Sequence, residues 1–289
     1  MPLRPIHVAL SFNDKYWALA YTVMRSICLS SRLRGEIVFH LCHSALTPAH
    51  AATLDSITPE FGATLLHHDP EANPAFSGII GRLPVTARFP RIVYTRLLLD
   101  KLLPNEVTRF IYLDCDILVR RPIEELYDLD MQGFPIAAVA DPYHDGIKLG
   151  RDIRSKTSPF DSAAPYFNSG VMLIDRPRFA IADLVGKVEA FAATGILDKL
   201  YFDQDILNLV FAENWLELPW RFNLMLPRKP HEGLGPAIVH YTGFRRPWLP
   251  YSGAAFSRTY RHVMTNEVFH RQLRERWVNF LRRRIGLKG

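Results

Sequence analysis

The sequence predicts an α/β fold in which a mostly parallel central sheet is flanked by helices. Three observations carry that prediction. Short apolar runs bounded by polar residues occur at Ile6 to Leu10, Glu36 to Cys42 and Ala63 to Leu66. Segments with apolar residues at helical spacing lie between them, and alternating strands and helices give parallel sheets. A further run, Phe110 to Val119, is apolar on both sides of Asp114 and Asp116, as a strand covered on both faces would be.

Taken in order, Ile6 to Leu10 is the first strand, and Ser11 to Tyr16 is the polar turn after it. A helix then runs through Ala20, Val23 and Ile27. Glu36 to Cys42 is the second strand, and Thr47-Pro48 opens a helix with proline in its first turn. Ala63 to Leu66 is the third strand. His67 to Pro90 holds four prolines and two glycines with little periodicity, and reads as a long loop, part of a lid or acceptor wall, with surface histidines at 67 and 68. Arg91 to Leu103 reads as a helix. Within it Arg96 is either an anion contact or a solvated arginine.

The carboxylate pair is the first chemical signal. If the strand stays extended, Asp114 and Asp116 share one side and Cys115 points the other way, into packing. Buried carboxylates are costly unless a positive charge neutralises them, and oxygen ligands suit Mg2+ or Mn2+, which in turn hold phosphates. Two other readings stand beside this one. The acids are common in turns and could merely cap the next element. A haloacid dehalogenase-type phosphatase also ends a strand in Asp-x-Asp, although here the pair lies far from the N-terminus and Leu118 stands where Thr or Val is usual.

Beyond the pair, Pro122 to Tyr127 is a short helix and Pro135 to Ala140 a strand ending at Asp141. Gly146 to Ala164 is polar and irregular, a surface excursion. Tyr166 to Ile174 is a strand with Asn168, Ser169 and Gly170 at its mouth, which suits close approach of a ligand to backbone. Phe179 to Phe191 is helical, and Tyr201 to Asn208 begins another helix, with Asp203 and Asp205 flanking Gln204. Ile238 to Trp248 is a strand leading into a glycine turn. There Gly243 lets backbone approach a phosphate, Arg245 or Arg246 can pair with it, and His240 can offer a nitrogen to a metal.

Charge and cysteine usage bound the rest. The net charge of +6 resides in the last residues, where seven basic side chains from Arg271 to Lys288 face only Glu275; the preceding body is neutral. A neutral body argues against nucleic-acid binding. Three cysteines without ligand spacing read as reduced thiols, and nothing at the N-terminus resembles a signal peptide and no run is long enough to span a bilayer, so the chain is expected on the cytoplasmic side. Phe269, Leu273, Trp277, Leu281 and Ile285 recur every four places, one apolar stripe on a basic C-terminal helix. Such a helix either lies on the anionic inner face of the membrane, at about 1 kcal/mol per basic residue, or packs its stripe on the body. The expected organisation is a catalytic domain over 1–255 and a basic helical tail over 256–289.

Four motifs in one order resemble glycosyltransferase family 8: Leu113 to Leu118, Tyr166 to Val171, Asp203 to Leu207, and His240 to Trp248 with Arg246 at its basic place. The resemblance spans about Ile6 to Trp248. It implies the GT-A nucleotide-sugar transferase fold and a retaining transfer of a hexose, glucose or galactose, from a UDP-sugar donor. The acceptor would be a saccharide or lipid-linked saccharide, as in lipopolysaccharide or other surface-glycan assembly. It further implies that Asp114, Asp116 and His240 hold Mn2+, or Mg2+, against the diphosphate. Arg246 and the Gly243 backbone would grip the phosphates, with Arg96 facing the donor and Asp141, Asn168 and Asp203 bonding its sugar. Gln204, with Asp203 beside it, would be the catalytic group beneath the anomeric carbon. Asn13 and Tyr16 would meet the base, although Asn13-Asp14-Lys15-Tyr16 departs from the family's usual paired acids. A nucleotide-sugar-binding protein of the same fold without transfer activity is the alternative.

Overall fold

The computed structural model describes residues 4–85, 90–142, 160, 165–200 and 202–284. β1 (Ile6–Phe12) is an interior strand because its residues are apolar toward both faces: Val8, Leu10 and Phe12 join one core cluster and Ala9 the other. α1 (Trp17–Ser30) comes after a single tight turn over Asp14–Tyr16, and carries the chain back to β2 (Ile37–His43). Thr47 caps α2 (Pro48–Asp55), α3 (Ile57–Phe61) ends at Gly62 in the left-handed region, and β3 (Thr64–His68) completes three parallel strands. Each fully buried aromatic in these layers, Phe39 or Phe110 for example, contributes about 2 kcal/mol.

The expected loop after residue 67 is corrected by the structure. β3 extends through His68, and α4 (Pro74–Ile80) buries Phe76, Ile79 and Ile80. Asn73 accepts the Ala75 N–H and Pro74 occupies the first helical position, so the helix has a proper start despite its proline content. His67 is exposed, as expected, and His68 is half-buried; both are hydrogen-bonded. His68 bonds His40, which bonds His7, each at 3.0 Å, and His67 bridges His43 and Asp55. The helix expected over 91–103 is a 3-10 helix at Arg91–Leu98 continued by α5 (Leu99–Leu102). β-branched Ile92, Val93 and Thr95 weaken the α form there.

Two strands stand where one was expected around the acidic pair. β4 (Arg109–Leu113) lies parallel to β1, whereas β5 (Ile117–Val119) leaves for a second sheet. Asp114 to Asp116 form the break between them. α6 (Glu124–Tyr127) leads to β6 (Ile136–Ala140), and β7 (Phe167–Asp175) runs antiparallel between β4 and β6. The excursion expected over 146–164 lies outside the described residues except Phe160. α7 (Arg176–Ile181) and α8 (Leu184–Ala193) replace the single helix expected over 179–191, separated where Asp183 takes a positive φ and caps Gly186. α9 (Phe202–Phe211) is succeeded by β8 (Leu216–Glu217), β9 (Leu224–Met225) and β10 (Ile238–His240).

The main sheet has the order β3-β2-β1-β4-β7-β6-β8, and the smaller one β5-β10-β9. The C-terminal ends of β1, β4 and β6 and the start of β7 therefore gather at one edge. This is the edge where open α/β sheets bind ligands.

α10 (Ser257–Met264) and α11 (Asn266–Arg284) close the described chain. Tyr260, Val263, Met264, Val268 and Phe269 are buried in the same core cluster as β1. The apolar stripe divides halfway along α11: Phe269 is buried and Leu273 packs on the core, while Trp277 and Leu281 are more than half exposed. Ile285 lies outside the described residues. No helix among the described residues is long and apolar enough to cross a membrane.

Candidate metal centre

β4 ends at Leu113, opposite Val171 of β7, and the Asp114 N–H donates to the Gly170 carbonyl at 2.8 Å. This bond turns the Asp114 side chain across the sheet edge. Two residues on, the Asp116 carbonyl accepts the Tyr241 N–H, which fixes the start of β5 against the end of β10. His240, the last residue of β10, consequently faces both acids. Its Nε2 is 3.1 Å from Asp116 Oδ1 and 3.8 Å from Asp114 Oδ2. One ligand atom from each of the three side chains lies within 4.8 Å of the others.

The chemistry of this set fits a hard divalent cation. His240 Nδ1 lies 3.0 Å from the Asn223 Oδ1, which can only accept. Nδ1 therefore carries the proton, and the Nε2 lone pair is directed at the acids. An outer-shell partner fixing the tautomer in this way is usual at metal-bound histidines. Burial by itself would lower the His240 pKa, but Asp116 and then Asp114 outweigh it and raise it. Gly170 completes the arrangement: a Cβ there would stand 2.2 Å from His240 Cε1 and 2.7 Å from Asp114 Oδ2. The sequence reading kept this strand mouth small for the approach of a ligand; the crowding at Gly170 comes from the protein's own side chains.

Arg96 is neither solvated nor free. It is buried, with Nη2 on Asp114 Oδ1 (2.7 Å), Nη1 on the Ser169 hydroxyl (2.9 Å), and Nε paired with Asp203 Oδ2 at 2.6 Å. The last contact is an ion pair without hydrogen-bond alignment. Burial opposes the charge on Arg96, but Asp114 and Asp203 outweigh it and raise the pKa. Burial likewise raises the Asp203 carboxyl, with Arg96 pulling the other way. Arg96 thus binds β4 to the start of α9.

The remaining predicted polar residues form one network beside it. Gln204 Oε1 accepts from the Ser169 N–H (3.1 Å) and Asn168 Nδ2 (3.2 Å), and its Nε2 donates to Asp141 and to the Tyr166 hydroxyl, each at 3.3 Å. Asn168 Nδ2 also reaches Asp141, and its Oδ1 accepts from Asn223 Nδ2 at 2.9 Å. A continuous path of hydrogen bonds therefore joins Gln204 to His240 through Asn168 and Asn223. Asn208 holds the Phe167 backbone from below, through both its N–H and its carbonyl.

The N-terminal turn forms the other wall. Asn13 accepts the Lys15 N–H and so caps its own turn. Tyr16 is 44% exposed; burial of the rest of its ring raises its pKa, as does Asp116, while Arg246 opposes the shift. Tyr16 thus lies within electrostatic range of both Asp116 and Arg246. Asp14 is tied down by the Thr47 N–H (3.0 Å) and His50 Nδ1 (2.7 Å), and His50 Nε2 reaches Glu275 on α11 at 3.1 Å. Gly243 lies three residues beyond His240 without a positive φ, and a Cβ there would meet only the flexible end of Leu226.

The structure thus brings Asp114, Asp116, His240, Arg96, Asp203, Asp141, Asn168 and Gln204 together, with Tyr16 and Arg246 within electrostatic range of them but in no direct contact described. Sequence reasoning missed Asn223 and the His50–Glu275 link, and gave Ser169 only as part of the strand mouth. Asn223 comes directly after Phe222 in a segment without periodicity, and nothing in its surroundings marks it.

Comparison with known proteins bears on the family and the fold. The profile described as Glycosyl transferase family 8 matches residues 7–251. General stress protein A of Bacillus subtilis (strain 168) is 26% identical over 290 residues, covering 94% of each chain. Lipopolysaccharide 1,2-glucosyltransferase of Escherichia coli (strain K12) is 29% identical over 196 residues, 64% of this chain and 57% of that one. Among solved structures, galactosyltransferase LgtC in complex with donor and acceptor sugar analogs superposes with a TM-score of 0.73 at 22% identity, covering 92% of this chain and all of that one.

Proposed function

The chain belongs to glycosyl transferase family 8, and we propose that it is a retaining, metal-dependent hexosyltransferase acting on a UDP-sugar. Glucose or galactose would pass to a saccharide acceptor, in lipopolysaccharide or other surface-glycan assembly. The names of the Escherichia coli glucosyltransferase and of LgtC support the sugar class. The observation that carries the reading is the convergence of Asp114, Asp116 and His240 beside a polar network containing Gln204.

Asp114, Asp116 and His240 would hold Mn2+, or Mg2+, which supplies Lewis-acid stabilisation to the departing diphosphate. Arg246 would add positive charge on the phosphates, with the Gly243 backbone beside it, and Tyr16 would stack on the base above the Asn13 turn. Arg96 acts first on its own protein, holding Asp114 and Asp203 in register at the donor site. Asp141, Asn168 and Asp203 would bond the sugar hydroxyls. Gln204 would lie beneath the anomeric carbon, stabilising positive charge there. A glutamine amide is a poor nucleophile, so the acceptor hydroxyl would attack from the leaving-group face and give its proton to the departing phosphate. Gln204→Ala is expected to lower kcat by about 10²-fold with little change in donor KM; normal turnover in that variant excludes the role.

A panel of nucleotide sugars tests the reading as a whole. Slow donor hydrolysis with Mn2+, abolished by chelation, is the expected result. Binding without hydrolysis or transfer would instead identify a nucleotide-sugar-binding protein.

Tyr260 to Phe269 pack into the core, so of the expected tail over 256–289 only the outer half of α11 would serve as an appendage to the catalytic unit expected over 1–255. Trp277, Phe280 and Leu281 are exposed beside Arg276, Arg282 and Arg284, and we assign this half of α11 to the anionic inner face of the cytoplasmic membrane. Replacing Trp277 and Leu281 with serine should reduce co-sedimentation with anionic vesicles at low salt without lowering thermal stability. Unchanged binding removes the membrane role.

A further inference from the structure

β9 and β10 lie side by side, so the turns that leave them, at 226–230 and 241–247, are neighbours. Leu226 takes a positive φ of 46°, uncommon for leucine, and its N–H donates to the Thr242 hydroxyl at 3.3 Å. The two turns enclose a cavity of about 520 Å3 lined by Leu226, Arg228, Lys229, Gly243, Phe244 and Arg245, among others. None of its lining residues is acidic. Lys229 has a partner in Glu232 at 3.1 Å, but Arg228 and Arg245 are exposed and have no carboxylate within ion-pair distance among the described residues. Phe244 is 99% exposed beside them. Lys229 also lines an adjoining cavity with Arg120, Arg258 and its partner Glu232, three basic side chains to one acid, which leaves that surface net positive.

The donor reading leaves Arg228 and Phe244 without work. It calls on Arg246 and Gly243, whereas Arg228 comes from the other turn. A guanidinium pairs with phosphate or carboxylate through two parallel bonds, and an open aromatic ring offers a flat apolar face to a sugar. We propose that this cavity binds the acceptor, and that the acceptor saccharide carries a phosphate or carboxylate group. The inference rests on the transferase reading and narrows its acceptor to an anionic one. The anion would sit between Arg228 and Arg245, with a sugar ring against Phe244, within a few residues of His240 along the chain.

Calorimetry on the full chain, with UDP and Mn2+ saturating the donor site, tests this with defined probes. Glucose 6-phosphate and glucuronate are expected to bind at least about tenfold more tightly than glucose, as a charged hydrogen bond implies. Arg228→Ala should erase most of that difference while UDP affinity and melting temperature stay at wild-type values, and Arg228→Lys should restore part of it. Equal binding of glucose and glucose 6-phosphate, or an unaltered preference in Arg228→Ala, overturns the proposal. Displacement of glucose 6-phosphate by phosphatidylglycerol vesicles also overturns it, by giving the surface to lipid. Failure of UDP to bind overturns the donor reading itself, a separate result visible before any sugar is added.

Discussion

Asp116→Asn is expected to lower sugar transfer by about 10³-fold, the scale on which removal of one charge-stabilising group acts. The substitution keeps a carbonyl oxygen in place and removes only the charge. Asp116 makes no salt bridge to an arginine or lysine among the described residues, and its side chain is 30% exposed, so the fold should tolerate the change. His240 should lose the acid that most raises its pKa. Asp114→Asn should be as damaging to transfer but less clean, because Arg96 is buried and loses one of its two carboxylate partners. Its melting temperature should fall as well. Transfer rates at saturating donor, measured beside thermal melts, separate the two cases. An Asp116→Asn enzyme within tenfold of wild type would refute the assignment.

Gly170→Ala carries the second large effect. A single methyl group would overlap His240 Cε1 and the Asp114 carboxylate, and neither neighbour has somewhere to go. Asp114 is held by Arg96 and Tyr112, and His240 by Asn223. Overpacking of this kind costs about 1–3 kcal/mol of stability. The larger consequence should be a loss of about 10²-fold in transfer, because two of the three proposed metal ligands must shift. Serine and alanine should behave alike. Retention of full metal-dependent activity in Gly170→Ala would mean that the crowding does not position the site.

The two acids are legible in the sequence because charge inside an apolar run needs explaining whatever the fold. The break between β4 and β5 is not: Phe110 to Leu113 and Ile117 to Val119 are equally apolar, and only pairing with β10 draws the second part into another sheet. Arg96 reads as an ordinary helix arginine until β7 and α9 close over it. Asn223 shows the same limit more sharply, since its meaning lies wholly in the two side chains it joins, Asn168 and His240, which are 55 and 17 residues away. The α4 helix is legible in principle from Asn73-Pro74, but proline density hides it. The C-terminal stripe reads as one feature, yet the core has room for only its first half.

Titration of Mn2+ into the protein, with and without UDP, monitored by the loss of the free-ion paramagnetic resonance signal, measures the central claim without any need for the acceptor. Wild type should bind one ion per chain, more tightly with UDP present because each ligand favours the other. Asp116→Asn and His240→Ala should abolish that UDP-linked binding. Undiminished Mn2+ uptake in both variants, or no uptake by the wild-type protein with UDP, would contradict an ion held between Asp114, Asp116 and His240.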